Sequence, residues 1–414
     1  MLGPLLVVAF VNLLGIASSW AQAPADPAAP QAPVESPPPP PEAVGDEHSP
    51  FLQPALENTD AALALGAARG AVRIAPNDVR SRLALARALS RIGDLDAAME
   101  ECRVAIKLEP NDAKAHLQLG TLLIAKQDWR AAGSVLQEAV RLDPTLTEAH
   151  YSLGSVHYSL GHLEAAVQSY RQALTLQPYF PDARYRLALL LKLSKHDQEA
   201  ASLMEEAAVG GVQQAQFFLG NAYKAGQGVE KDVGKAVFWW TKAAEYGYQP
   251  SISLLSKLRR QALWPDSSER RRKDAQDAFL AYRRLLWEEF REYSPADDGD
   301  TIGMRLLNDR RVDVAVPTLL KEGYALSEPA HIELGQLYET GWDTVLPRHD
   351  KHILACFELT AADGFLPARR ILARIYGKGI GLPPDLPKAK TMLKGLPKQE
   401  ANTLLAEFGT GERR

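Results

Sequence analysis

Four prolines stand at one interval: Pro76, Pro110, Pro144 and Pro178, each 34 residues after the last. They sit in "IAPND", "LEPND", "LDPTL" and "LQPYF", each at the end of a run rich in helix-forming residues. Proline lacks an amide donor and disfavours helix for the residue before it, so each one is a helix stop. A stop with this period predicts one short helical unit used repeatedly. Such a chain extends in one dimension by stacking, and its 414 residues need not share a single core.

Small and apolar residues recur at fixed places between the stops. The units run over 76–109, 110–143, 144–177 and 178–211. The first carries Leu85-Ala86, Gly93, Ala98, Cys102 and Ala105; the second Leu119-Gly120, Trp129, Ala132 and Ala139; the third Leu153-Gly154, Gly161, Ala166, Tyr170 and Ala173. This spacing predicts two antiparallel helices joined by a tight turn, with Gly or Ala where the backbones cross and large residues beside them. A helix over Asp60 to Ile74, with Ala64, Ala68 and Ala71, opens the series.

The period and the Leu-Gly, Ala, Ala, Pro pattern resemble the tetratricopeptide repeat. The fourth unit departs from it, because Lys195 and Asp197 replace the turn glycine and its neighbour and Val212 stands where the next proline belongs. From Ala215 to Gly247 the chain reads "AQFFLGNAYKAGQGVEKDVGKAVFWWTKAAEYG". Leu219-Gly220, Tyr223, Gly226, Gly228, Asp232, Lys235-Ala236, Trp239 and Ala243-Ala244 there resemble a Sel-like repeat, a relative with a longer glycine-bearing loop. Gly226 and Gly228 are expected to supply positive backbone dihedrals, Asp232 to cap the second helix and Trp239 to fill the space between helices.

The same frame returns as Leu372-Ala373, Tyr376, Gly379, Gly381, Asp385, Lys388-Ala389 and Met392. A middle copy starts at "IELGQLYETG", residues 332–341, with Asp350, Phe357 and Ala361-Ala362 following. Residues 398–409 read as a terminal capping helix. Residues 251–326 fit the repeats least: 267–293 is a long amphipathic helix, and 313–331 resembles the second helix of a degenerate Sel-like unit. This stretch is either a helical insert or a set of degenerate repeats. The fold expected from the resemblance is an all-α solenoid of stacked antiparallel helix pairs, wound as a right-handed superhelix.

Two stretches lie outside the repeats. Residues 1–21 have the layout of an export signal, with an apolar run from Leu5 to Ile16 and cleavage expected after Ala21. The alternative is an uncleaved inner-membrane anchor, although the run is shorter than the ~20 apolar residues a spanning helix needs. Residues 22–50, dominated by Pro and Ala, read as a disordered spacer. The expected location is therefore the periplasm.

The remaining chemistry is sparse. Formal net charge is −4 from 47 basic and 51 acidic residues, which gives no nucleic-acid footprint. Cys102 and Cys356 have no metal-ligand spacing and read as buried small apolar residues. His349 and His352 in "HDKH" lack a third ligand, "GKGIGL" at 377–382 lacks the Lys-Ser/Thr of a phosphate loop, and Asp297-Asp298 reads as part of a turn. No enzyme, metal, cofactor or small-molecule substrate is expected.

The resemblance implies a concave groove lined by first-helix residues, two, five, nine and twelve places into each unit. These are Arg80, Leu83, Arg87 and Ser90; Lys114, Leu117, Thr121 and Ile124; Glu148, Tyr151, Ser155 and Tyr158; Asp182, Tyr185, Leu189 and Lys192. The early part is basic and the later part aromatic, which suits an acidic protein segment with apolar or aromatic anchors. Two functions follow as expectations. One is a non-enzymatic scaffold or adaptor in the cell envelope, in a secretion or polysaccharide-export complex. The other is a regulatory subunit that modulates one enzyme or receptor through residues 251–326.

Overall fold

The computed structural model describes residues 52–265, 267–293, 301–342 and 345–409, with side chains described from Ala61 to Phe408. The export signal, the Pro/Ala spacer and Asp297-Asp298 lie outside these residues. The described residues form an all-α solenoid of twenty helices, and no strand occurs among them beyond an isolated bridge between Trp342 and Leu346. Contacts divide the chain between Val212 and Gln213 into two compact units.

The first unit opens with α1 (Leu52–Ile74) and continues as four hairpins: α2 (Val79–Arg91) with α3 (Leu95–Leu108), α4 (Ala113–Ala125) with α5 (Trp129–Leu142), α6 (Thr147–Ser159) with α7 (Leu163–Leu176), and α8 (Pro181–Leu193) with α9 (Asp197–Val209). Each helix packs mainly on its hairpin partner and on the next hairpin. Asp78, Asp94, Asp112 and Asp128 start helices by accepting amide N–H groups that the first turn leaves free. Three of the four prolines also anchor a side chain of the following helix through their carbonyls. Arg82 Nε donates to the Pro76 carbonyl at 2.9 Å, and the Nε2 atoms of His116 and His150 lie 3.0 Å from the Pro110 and Pro144 carbonyls. Since a carbonyl only accepts, Nε2 carries the proton in both histidines.

One small residue in each first helix faces a large residue 16 positions later in its partner. A Cβ added at Gly120 would meet Leu136 Cγ at 2.5 Å, and one at Gly154 would meet Tyr170 Cε1 at 2.6 Å. Ala86 with Cys102, and Ala188 with Met204, occupy the same frame and are buried. Seven residues after the small one, the chain takes a positive φ: Gly93 (83°), Gln127 (63°), Gly161 (80°) and Lys195 (62°). Lys195 thus keeps the turn of the glycine it replaces.

The second unit begins with α10 (Gln213–Ala225) and α11 (Val233–Glu245). Gly226 and Gly228 have φ of 69° and 73°, and Asp232 accepts from the Lys235 amide at 2.9 Å. The aromatic expected at Trp239 is corrected by one residue. Trp240 is the buried ring, 2.5 Å from a Cβ built at Gly220, whereas Trp239 is half-buried against Phe238. Two successive tryptophans point about 100° apart on a helix, so only one faces α10.

Next come α12 (Gln249–Leu263), α13 (Glu269–Glu288), α14 (Ile302–Asn308) and α15 (Val312–Tyr324). Helix α13 packs on both α11 and α12, unlike any hairpin of the first unit. Helices α14 and α15 form a hairpin of the short-turn kind, in place of the long-loop unit expected here. Gly303 is filled opposite by Leu319, 16 residues on, and Arg310, seven residues on, has φ 60°. The unit closes with α16 (Glu328–Thr340), α17 (Lys351–Ala362), α18 (Leu366–Lys378), α19 (Leu386–Leu393) and α20 (Lys398–Gly409). Helix α20 packs on α18, with Phe408 covering Gly377.

Candidate partner-binding groove

Helices α2, α4, α6 and α8 place the expected groove residues in two groups. Arg80, Arg87 and Lys114 are exposed and make no ion pair among the described residues. Tyr151 and Tyr158 are half-buried and pack on the cluster that holds Tyr170. The Tyr151 ring lies 5.7 Å from that of Tyr170 and 4.9 Å from that of Phe180, and Ser155 Oγ is 3.0 Å from the Tyr170 hydroxyl. Burial pushes the Tyr151 and Tyr158 hydroxyls above the ordinary phenol range, so both stay protonated near neutral pH.

Two residues fit the groove less well. Tyr185 is only 7% exposed and belongs to the core. Lys192 is committed to Asp197 through a 2.6 Å ion pair. A residue that sequence reasoning passed over takes the central place. Arg186 is 9% exposed and within electrostatic reach of Tyr151, Tyr170 and Tyr185, with Asp182 one turn before it. Burial pushes the Asp182 carboxyl up, and Arg186 opposes that shift. The available signal was the Asp182 and Arg186 spacing of four, which puts opposite charges on one face of α8 beside Tyr185.

The second unit has its own groove across α16, α18 and α20, of about 350 Å³, in which Ile332 is 53% exposed. Its charges are matched internally. Arg370 pairs with Glu328 and Glu400, Arg374 with Glu339 and Lys378 with Glu407. Arg80, Arg87 and Lys114 of the first groove have no such partner among the described residues.

The repeat glycines and histidines have structural explanations. Gly379 and Gly381 have φ of 69° and 72° in the loop after α18. Lys235 lies 5.4 Å over the Tyr223 ring and Lys388 5.4 Å over that of Tyr376, which accounts for that Tyr and Lys spacing in two long-loop repeats. His349 meets the Tyr338 ring edge to face, while His352 lies beside Asp350. Among the described residues no group of three or more His, Cys, Asp or Glu is placed to hold a metal ion. Burial pushes the Cys102 and Cys356 thiols up to about 12, so neither forms a thiolate near neutral pH. No described helix is long and apolar enough to cross a membrane.

Family comparisons agree with this architecture. Patterns described as tetratricopeptide repeat match residues 55–113 and 93–156, and one described as TPR repeat matches 154–194. The Sel1 repeat matches 213–248, 329–353 and 367–394. No curated protein matches the chain. Among solved structures, MamA aligns at 23% identity over 42% of this chain and 100% of its own, with a TM-score of 0.34. YrrB, described as a TPR protein with an unusual peptide-binding site, aligns at 23% identity over 45% and 94%, with a TM-score of 0.36. A Sel1 repeat protein from Oxalobacter formigenes aligns at 22% identity over 81% and 85%, with a TM-score of 0.33.

Proposed function

We propose that this chain, a tetratricopeptide and Sel1 repeat protein, is a scaffold that holds an acidic, extended segment of a partner protein along α2, α4, α6 and α8. Stacked helix pairs of these families are protein-interaction scaffolds, and no catalytic family is indicated. The observation that carries the finer reading is the run of exposed, unpaired Arg80, Arg87 and Lys114 beside half-buried Tyr151 and Tyr158. Cations in solvent draw in carboxylates and set the orientation of the segment. The tyrosines, with rigid rings and hydroxyls held protonated, supply apolar anchor sites with a polar edge.

The test is a panel of twelve-residue peptides that combine Asp/Glu runs with one Trp or Leu, alongside lysine-substituted counterparts. The wild type should prefer the acidic set, more weakly as salt rises. Arg87→Glu combined with Lys114→Glu should lose at least about tenfold in affinity, which corresponds to about 1.4 kcal/mol. Equal binding of both sets, or no effect of the double replacement, overturns the reading.

The setting we propose is the cell envelope, on the support of the signal-like residues 1–21 and the Pro/Ala spacer. Amino-terminal sequencing of protein from a periplasmic fraction should begin at Gln22. An intact Met1 in the membrane fraction would show an anchor instead.

A further inference from the structure

The second unit contains a partly open cavity of about 280 Å³ lined by α11, α12, α13, α15 and α17. It lies in the stretch that least resembles the repeats. Val237, Ile252, Leu255, Phe279 and Leu359 supply an apolar lining. For scale, an apolar cavity of about 150 Å³ takes up benzene.

Six polar side chains line the same space, of which Tyr282 and Thr241 bond each other. Lys321 makes no ion pair among the described residues, and the Tyr324 hydroxyl donates to no described acceptor. Arg259, 3% exposed, gives Nε to Asp363 Oδ2 at 2.7 Å and Nη1 to the Tyr324 carbonyl at 3.5 Å. A guanidinium has five N–H donors, so this buried cation has further donors for the cavity. The opposing charge there is Glu245, which is exposed. With Arg259 neutralised by Asp363, and Glu245 in solvent, the ammonium of Lys321 and the hydroxyl of Tyr324 are left as uncommitted donors on the polar side of the cavity.

We propose that this cavity binds a small amphipathic carboxylate, with the aliphatic or aromatic body against Phe279 and Leu255 and the carboxylate toward Lys321 and the Tyr324 hydroxyl. An apolar body gains about 25 cal/mol per Å² of surface withdrawn from water, and a headgroup that meets donors avoids the cost of burying an unpaired charge. The cavity is lined by α12, α13 and α15, which make up most of residues 251–326, together with α11 and α17 of the flanking repeats, so an occupant would brace this stretch against repeats of the same unit. This goes beyond the groove of the first unit and does not depend on it.

The experiment uses the full chain with octanoate, and with octanol as the uncharged control of equal length. Octanoate should bind saturably by calorimetry and raise the melting temperature, and octanol should bind at least about fivefold more weakly. Lys321→Met keeps the length of the side chain and removes its charge, so it should cut octanoate affinity about fivefold and leave octanol unchanged. Ala244→Phe, which adds a ring to the lining, should abolish both. Absence of saturable octanoate binding, equal affinity for the two probes, or unaltered octanoate binding by Lys321→Met overturns the proposal. The Lys321 arm decides it even if the Ala244 variant fails to fold.

Discussion

Arg259 Nε donates to Asp363 Oδ2 at 2.7 Å between side chains 104 residues apart, both almost fully buried. Asp363 also accepts from Ser256 Oγ at 2.5 Å and Arg260 Nε at 3.1 Å, and its own carbonyl accepts from Trp264 Nε1 at 3.2 Å. A single residue at the end of α17 therefore collects four side chains, three from α12 on its carboxylate and the C-cap tryptophan on its carbonyl. Asp363→Asn removes the charge and leaves Arg259 buried without a counter-ion. The expected cost is about 3–5 kcal/mol, read as a lower denaturant midpoint for the second unit. Arg259→Met combined with Asp363→Asn should cost less than the sum of the single changes.

Gln127, Lys195 and Arg310 occupy the left-handed turn position that Gly93 and Gly161 hold in sister hairpins. A side chain there costs about 1–2 kcal/mol, partly offset by the greater freedom glycine loses on folding. Each of Gln127→Gly, Lys195→Gly and Arg310→Gly should stabilise by about 0.5–1 kcal/mol in thermal unfolding. Gly161→Ala should cost a similar amount.

Asp94 and Asp128 accept the amide of the third residue onward at 3.1 Å, whereas His162, in the same frame, starts α7 without a side-chain cap. His162→Asp should add about 1 kcal/mol through one new cap bond. The melting temperature of the first unit reads the effect. No gain would show that the turn at Gly161 holds residue 162 out of reach of the Ala165 amide.

Two buried groups in the second unit titrate with opposite signs. Burial lowers His331 to about 4 from an ordinary 6.5, and raises Glu322 to about 7 from 4.5. His331 stays neutral in the fold, its ring between the Ser327 carbonyl and the Thr360 hydroxyl, so acidification from 6.5 toward 4 favours the unfolded chain. Glu322 accepts from the Ile302 and Gly303 amides and keeps its proton in the fold, so raising the pH from 4.5 to 7 favours the unfolded chain. Between 4.5 and 6.5 the two slopes cancel. Glu322→Gln removes one of them, and its stability should then climb by about 1.4 kcal/mol per pH unit across that window. A flat profile in the variant would refute the His331 assignment.

The hairpins were legible because their determinants are local: a proline stop, an aspartate cap and a small residue 16 positions before a large one. The α14 and α15 hairpin carries the same frame at Gly303, Arg310 and Leu319, yet Arg310 hides the turn in a sequence where glycine is the usual sign. Trp239 and Trp240 could not be separated by pattern, since either placement keeps one aromatic at the crossing. Register placed Arg80, Arg87 and Lys114 in solvent and Tyr151 and Tyr158 half-buried, but it gave no sign that Tyr185 and Arg186 would both be buried. Neighbouring residues on a helix differ in direction by about 100°, so burying two in succession takes packing on more than one side of α8, which no single repeat pattern shows. Nothing local in α12 announces Asp363, because the partner lies 104 residues away.

The Arg259–Asp363 clasp also bears on how the two units yield to force. In the first unit every helix is held chiefly by its neighbours in sequence, so tension along the chain can peel off one hairpin without disturbing those beyond. In the second unit α13 is wedged on α11 and α12, and α12 is tied to the end of α17. Tension cannot lengthen that segment until the tie breaks. A single molecule stretched from its ends would release the first unit in small early steps and the α12–α17 segment later, in one large jump.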